Sequence, residues 1–333
     1  MKALVVGGSG YTGGELLRIL SLHPKVDEVT ATSRTYEGRD IPEAHPNLTK
    51  VLNGKFRQYK GAGDADIVFL CLPHTKSMEA VPELLNSGVK VIDLSADYRI
   101  SDKQVFEKYY CIHKNPELLK KAVYGLPELN RAKIKKASLI ANPGCYVTSA
   151  LLGLIPLMGE KKLDLEHIIV DAKSGTSGAG VKPTQFLHAS EVADNLKPYK
   201  VIGHRHQPEI DFILQGLNPN ASVNFTPTLA PFSRGIQETI HIFGEIDDPV
   251  KIFEKKYAKE PFVRVVSEST VKNVAFSNYC DIAVFYDNEK QRLVVVSSID
   301  NLIKGASGQA VENMNLMMGY GETEGLQTLP YHP

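Results

Sequence analysis

The 333-residue sequence carries no excess of either charge: 38 Lys and Arg balance 38 Asp and Glu, and no long run of one sign occurs. Nucleic-acid or membrane-surface partners draw on a basic field, so this balance gives neither any support. Cysteine is scarce. The four, at positions 71, 111, 145 and 280, form no C-x-x-C pair and no metal-ligand spacing, and no metal is expected. No apolar run is long enough to cross a bilayer, and no fixed-period repeat or low-complexity tract appears. Nothing resembles a signal peptide ahead of the strand that begins near Ala3, so a reduced, cytoplasmic protein is the expectation. What is abundant is apolar side chain, at 43%, which over this length predicts two cores rather than one.

The first chemical signal is a glycine loop. Lys2 to Val6 reads as a short apolar strand, followed by Gly7-Gly8-Ser9-Gly10-Tyr11-Thr12-Gly13-Gly14 and a helical run from Glu15 to Leu22. The glycines fit G-x-G-x-x-G (Gly8, Gly10, Gly13) and equally G-x-x-G-x-x-G (Gly7, Gly10, Gly13). Either register allows a tight turn that brings a pyrophosphate close to a helix N-terminus. A second strand, 28–32, ends in Ser33-Arg34-Thr35, where an NAD enzyme usually carries an acidic residue for the ribose hydroxyl. A guanidinium between two hydroxyls suits a 2′-phosphate instead, which predicts NADP, although Arg34 also reads as an ordinary solvated loop charge. Further buried strands over 66–72 and 89–94, separated by an amphipathic segment, predict a parallel sheet with helices on its faces. The loop after the fourth strand, Ser95-Ala96-Asp97-Tyr98-Arg99, belongs to the carboxyl ends of the strands, where ligands bind. Arg99 there suits a phosphate; an ion pair with Asp97 is its structural alternative.

The second signal is Asn142-Pro143-Gly144-Cys145-Tyr146, which sets a thiol between a buried strand at 138–141 and a helix over 147–158. Unpaired N–H groups at a helix start favour the thiolate, so Cys145 reads as a nucleophile, against the alternative of a small buried packing residue. Downstream, a strand at 167–172 runs into the hydroxyl-rich loop 173–180, in which Ser177 and Gly178 offer donors to an anion or cofactor amide. The segment His204-Arg205-His206 opens an amphipathic helix with Pro208 in its first turn. Two imidazoles beside a helix start are acid/base candidates, and an extended backbone would put His204 and His206 on one face and Arg205 on the other. His204 is favoured over His206 as the partner of Cys145. Alternating runs at 222–225, 236–243, 281–286 and 293–299 predict an antiparallel or mixed sheet with one covered face. Cys71 and Cys280 read as packing, as do Met314, Met317 and Met318 on the last helix. Asn301 and Lys304 precede that helix, within range of a nicotinamide.

Taken in order, the glycine loop, the 93–99 and 124–129 segments, Asn142 to Tyr146, Ser174 to Gly180, His204-Arg205-His206 and Asp300 to Gly305 resemble the N-acetyl-gamma-glutamyl-phosphate reductase family, including sister enzymes that reduce an aminoadipyl or glutamyl phosphate attached to a small amino-group carrier protein. The resemblance implies an α/β fold: a Rossmann-type doubly wound parallel sheet plus an α+β substrate domain with a mixed sheet, semialdehyde dehydrogenase-like. It implies an NADP-binding domain from residues 1–144 and 306–333, a catalytic domain from 145–305, and a homotetramer. Position by position, it makes Cys145 the nucleophile, the 9–12 region (Ser9, Gly10, Tyr11, Thr12) the pyrophosphate loop, Ser33, Arg34 and Thr35 adenosine-phosphate contacts, and Asn301 a contact near the nicotinamide. Arg99, Asn142 and Arg205 are the expected substrate contacts. Val147 departs from the family, where Pro often follows the Cys-Tyr pair.

The chemistry these residues allow is covalent. Cys145 displaces phosphate from an acyl phosphate, NADPH delivers hydride to the resulting thioester, and His204 supplies a proton as the aldehyde leaves. Helix N–H groups stabilise the oxyanion. An aspartate-semialdehyde dehydrogenase shares the architecture but fits the His-Arg-His and Ser-Gly-Thr-Ser-Gly segments less well. A non-catalytic NADP sensor would have no use for a thiol at a helix start. Acetyl-blocked and carrier-linked substrates present the same carbonyl. An acidic carrier would need a basic rim such as Lys173, Lys182, His188, Lys197, Lys200 and Arg205, and the short tail at 329–333 resembles the carrier-dependent sisters.

Overall fold

The computed structural model describes residues 1–331; His332 and Pro333, at the end of both the first expected domain and the tail, lie outside the described residues. The chain folds as two compact units, Met1–Pro143 with Ala306–Gln327, and Gly144–Gly305 with the residues from Thr328.

The first unit is built on strands β1 (Lys2–Val6), β2 (Glu28–Thr32), β3 (Ile67–Leu70), β4 (Lys90–Asp93), β5 (Val123–Tyr124) and β6 (Leu139–Ala141). Their order is β2-β1-β3-β4-β6-β5 and every pairing is parallel. A parallel sheet is covered on both faces, which is why β3 is buried at all four residues and reads as an unbroken apolar run. From β1 the chain passes first to β2 on one side and then to β3 on the other. Strand order therefore reverses at the β1/β3 boundary, where an open α/β sheet forms its ligand crevice, and the glycine loop leaves β1 at that point.

The helix after that loop starts at Tyr11, earlier than the apolar periodicity suggests, so Gly13 and Gly14 fall in its first turns. Close packing explains this: a Cβ at Gly13 would lie 2.6 Å from the Gly8 Cα. The last helix, Gly308–Met318, follows a single π turn at Ile303–Ser307. Met314 and Met317 are buried as the sequence suggests, but so are Gln309, Glu312, Asn313 and Asn315. Two of these amides are internal staples. Asn313 Nδ2 donates to Gly125 O (2.8 Å) and to Asn142 Oδ1 (3.1 Å), while Asn315 Nδ2 donates to the carbonyls of Glu322 and Glu324. Net, such bonds contribute about 1 kcal/mol each.

The second unit holds a seven-stranded sheet: β7 (Ile168–Ser174), β8 (Lys197–Pro198), β9 (Val223–Leu229), β10 (Ile236–Phe243), β11 (Val263–Val265), β12 (Cys280–Asp287) and β13 (Arg292–Ile299). The order is β11-β12-β13-β10-β7-β9-β8, with β7/β9 and β11/β12 parallel and the rest antiparallel. Burial alternates along β10, with Ile236, Glu238, Ile240 and Ile242 inward and Gln237, Thr239 and His241 outward. The inward face packs against the Cys145–Leu154 helix, of whose ten residues only Cys145 is not fully buried. Burying Leu151, Leu152 and Leu154 contributes roughly 1.5–3 kcal/mol apiece, so the helix is anchored well beyond its own propensity. Among the described residues no helix is long and apolar enough to cross a membrane.

Candidate active site

In the first unit the glycine loop is a cradle that side chains would fill. Gly7 sits at φ +79°, in the left-handed region, and a Cβ there would come within 2.4 Å of Cys71 O. The following helix has Gly10 at its N-cap and no side-chain cap, so its first N–H groups are left for an external anion, which suits a pyrophosphate. Ser9 and Ser33 are brought together, hydroxyl to hydroxyl at 2.8 Å, and Tyr36 N–H donates to Ser33 Oγ. Ser33 is buried while Arg34 and Thr35 stand exposed beyond it. Tyr11 is exposed and Thr12 half-buried at the helix entry.

Arg99 and Asn142 are placed inside the same unit. Arg99 is buried, its Nε donating to Asn142 O (2.7 Å) and its Nη2 to Leu94 O (2.8 Å). The guanidinium thus ties the loop after β4 to the residue before the Pro143-Gly144 turn. Asp97 accepts from the N–H groups of Thr75 and Met78, and neighbouring Asp93 is pushed up to about 6 by burial and by the nearby Asp97 carboxylate. The Asn142 side chain donates to Ala306 O and accepts from Asn313. Both residues that read as substrate contacts are therefore engaged with their own unit.

In the second unit, Cys145 is the first residue of its helix, with Gly144 as an N-cap lacking a side-chain cap. Gly144 N–H donates to Glu209 Oε1 at 3.0 Å, and Glu209 is fully buried in the first turn of the Gln207–Gln215 helix. This carboxylate fixes the turn that presents the thiol. Tyr146, buried, sits in an aromatic cluster: its ring centroid lies 5.9 Å from His204, 5.7 Å from His206 and 5.3 Å from Phe225. Its hydroxyl meets that of Tyr199 at 3.2 Å, and burial raises both phenols, with the charge of Cys145 adding to the shift in each.

The backbone at 204–206 is a turn rather than extended, yet the two imidazoles still meet, with centroids 5.0 Å apart, because the turn folds both rings onto Tyr146. His206 N–H donates to His204 Nδ1 at 3.2 Å, which places the hydrogen of a neutral His204 on Nε2. Burial, with Lys200 and Arg205 adding repulsion, lowers His204 to about 4, so it is uncharged at neutral pH. Arg205 is exposed. A histidine whose folded pKa is depressed binds protons better when unfolded, so its stabilising contribution is whole above about 6.5 and is lost as pH falls toward 4. Chemical denaturation of His204→Asn is expected to lose about 2–3 kcal/mol less than the parent between those limits; parallel curves would refute a depressed His204.

Asn301, buried, organises the other wall of this unit. Its Oδ1 accepts from Gly235 N–H (2.6 Å) and its Nδ2 donates to Ser177 Oγ (3.0 Å). The 174–180 loop is not a loose connection: it holds a 3₁₀ turn at Thr176–Ala179, and the N–H groups of Gly175, Thr176 and Ser177 bond the carbonyls of Gly235, Phe232 and Ser233. Gly178 rests near the side chains of Ser174 and Asn301. Lys304 is fully buried with its ammonium over the Phe262 ring, away from solvent. Among the described residues no group of His, Cys, Asp or Glu is arranged to hold a metal.

Sequence reasoning passed over Glu209, Tyr199 and Gly305. An acidic residue directly after Pro208 at a helix start was the available signal for Glu209; Tyr199 and Gly305 gave none, because they reach Tyr146 and Cys145 only through the fold.

Family models describe the two halves of the chain as the semialdehyde dehydrogenase NAD binding domain, matching residues 2–137, and the semialdehyde dehydrogenase dimerisation domain, matching residues 145–301. Relatives named N-acetyl-gamma-glutamyl-phosphate reductase include those of Methanosphaera stadtmanae (48% identical, 99% of this chain and 98% of the relative), Methanocaldococcus jannaschii (47%, 100% and 99%) and Geobacter sp. (48%, 100% and 100%). Among solved structures, aspartate semialdehyde dehydrogenase II of Vibrio cholerae superimposes with a TM-score of 0.75 at 17% identity, over 96% of this chain and 98% of that one, which establishes a shared fold. With such identity over its whole length, the chain belongs to the N-acetyl-gamma-glutamyl-phosphate reductase family, a branch of the semialdehyde dehydrogenases.

Proposed function

We propose that this chain reduces an N-blocked γ-glutamyl phosphate to its semialdehyde with NADPH, through a thioester on Cys145. The observation that carries the reading is the seat of Cys145: first in a buried helix, with the preceding N–H held by buried Glu209 and two imidazoles packed edge-on against the adjacent Tyr146. The sulfur attacks the acyl carbon, the carbon–oxygen bond to phosphate breaks, and phosphate leaves with the electron pair. Helix N–H groups stabilise the oxyanion, together with Nε2–H of the neutral His204, which serves as a hydrogen-bond donor rather than the base. His206 is then the acid/base, taking the thiol proton and giving it to the departing phosphate. When bound, NADPH would supply the hydride to the acyl carbon, and breaking of the carbon–sulfur bond would then return the thiolate of Cys145. Arg205, exposed, is the substrate-binding cation, while Arg99 and Asn142 brace the loops of their own unit.

The dinucleotide is held by the first unit, residues 1–143 and 306–327, through Gly7, Ser9, Gly10, Tyr11, Thr12 and Gly13, with Ser33, Arg34 and Thr35 on the 2′-phosphate. In the second unit, Ser177, Gly178 and Asn301, held together by their own hydrogen bond and packing, are the residues we assign to the nicotinamide. Arg34→Ala is expected to raise KM for NADPH about tenfold and leave NADH nearly unchanged, measured by initial rates with each dinucleotide; equal effects on both would remove the phosphate role. We further infer self-association, up to a tetramer, through the outward face of the seven-stranded sheet, where Ile169, Phe243 and Phe285 are exposed. Light scattering checks the mass.

The family name favours an acetyl-blocked substrate, a step of arginine biosynthesis in the cytoplasm. Running the reaction backwards with NADP and phosphate tests this: acetylglutamate semialdehyde should be oxidised rapidly. Turnover only with a carrier-linked glutamate or aminoadipate semialdehyde would transfer the reading to the carrier-dependent, lysine-type enzymes, and turnover with neither would overturn it.

A further inference from the structure

The face of the Cys145–Leu154 helix that meets the sheet is drawn by residues four apart: Cys145, Ser149 and Gly153. Its two ends are pinned by close contact. A Cβ on Gly305 would stand 2.9 Å from the Cys145 Cβ, and a Cβ on Gly153 would stand 2.7 Å from Ile240 Cδ1. Between those pins lies a polar cluster with no solvent. Ser149 Oγ donates to Ser297 Oγ (2.9 Å), Ser297 Oγ donates to Ser149 O (3.0 Å), and Cys280 Sγ lies 3.5 Å from Ser297 Oγ. Glu238 is fully buried on β10 directly opposite Ser297 in the sheet register, with Ser149 bearing on its carboxyl and neither carboxyl oxygen in an ordinary hydrogen bond.

The surroundings fix the state of that carboxyl. The serine hydroxyls bond each other and Ser149 O, and both buried oxygens of Glu238 are left without a hydrogen-bond partner, so nothing in the cluster compensates a negative charge there. Facing Glu238 are Ser149 and, one turn back, Cys145 from the helix, Ser297 from β13, Cys280 from β12 and Ala172 from β7, and none of these carries a positive charge. An ionised carboxylate there would be desolvated without a cation or a spare donor.

We propose that Glu238 is a positioning residue for Cys145: a protonated carboxylic acid that, through Ser149 and Ser297, seats the helix carrying the nucleophile, and that unseats it on ionising. Burial holds the carboxyl well above the usual carboxylate range, so the unfolded chain loses its proton first as pH rises. Stability therefore falls from the ordinary carboxylate range upward until the folded group itself ionises. The proposal rests on Cys145 as the nucleophile, but two of its readouts need no substrate.

The test uses the full chain and the variants Glu238→Gln, Glu238→Ala and Ser149→Ala. Glu238→Gln, which keeps a donor and cannot ionise, is expected to hold kcat within about twofold at neutral pH, as a hydrogen-bond isostere should. Between about pH 6 and pH 9 its Tm should fall about 5 °C less than that of the parent. Glu238→Ala, which leaves a cavity and frees the serines, should lower kcat about tenfold with KM little changed and alter the rate of iodoacetamide labelling at Cys145 at least about threefold. Ser149→Ala should give the same pattern more weakly and stands in should Glu238→Ala fail to fold. Superimposed Tm–pH curves for parent and Glu238→Gln would overturn the protonated state. Unchanged labelling and kcat in both alanine variants would overturn the positioning role. A parent chain with no reductase activity would sink the proposed function while leaving the labelling and Tm tests intact.

Discussion

Cys145→Ala is expected to lower reductase turnover on the order of 10⁴-fold or more, because the route through a covalent acyl intermediate has no substitute once its nucleophile is gone. Dinucleotide affinity should stay within about twofold, since the glycine cradle and the Ser9–Ser33 pair lie in a unit of their own. The parent, given acyl phosphate without dinucleotide, should release one burst of phosphate per thiol, and the variant none. His206→Asn should keep the burst but slow it about 10²- to 10⁴-fold, the usual contribution of a positioned acid/base. Residual turnover in Cys145→Ala above about 1% of the parent would exclude the thioester route.

The largest expected loss of stability comes from a pair that binds nothing. Arg234 reaches buried Asp300 through two bonds, Nε to Oδ2 at 3.0 Å and Nη2 to Oδ1 at 3.2 Å, while its guanidinium stacks over the Phe276 ring at 4.5 Å. Asp300 also collects the N–H groups of Phe276, Leu302 and Ile303. Phe276 itself sits at φ +64°, a left-handed conformation that a bulky residue adopts only under constraint. Arg234→Met keeps the stem but leaves the carboxylate buried without its cation, at a cost of about 3 kcal/mol, read by urea denaturation. Asn301, the next residue after Asp300, would lose its fixed placement against Ser177, so KM for the dinucleotide should rise as well. A change below about 1 kcal/mol would mean that the three N–H groups alone stabilise the carboxylate.

Much of the fold was legible because burial leaves a direct trace in a sequence. The Ile67–Leu70 strand appears within the expected 66–72 run and the Ile236–Phe243 strand over the residues expected, since a parallel strand covered on both faces is an apolar run and a half-covered antiparallel strand alternates. The Pro208 helix entry and the thiol after the Pro143-Gly144 turn were legible for the same local reason: turn and cap chemistry are written within a few residues. Arg99 shows where local reading stops. The choice posed was phosphate or Asp97, and the structure supplies the carbonyls of Leu94 and Asn142, the second of them 43 residues away. The pairing of His204 with His206 was visible, but which imidazole carries which hydrogen depended on one backbone N–H in a turn.

The sequence by itself determined the class of sheet in each half, the glycine cradle and the placing of a thiol at a helix start, because periodicity, glycine spacing and cap residues act over short stretches of chain. Only the tertiary structure decided that Glu209 holds the turn before Cys145, that His204 is neutral, that Arg99 faces inward and that Glu238 lies beneath the nucleophile's helix. Each of those depends on what surrounds a polar group once water is removed, and the neighbours that set its charge and its hydrogen bonds come from distant parts of the chain.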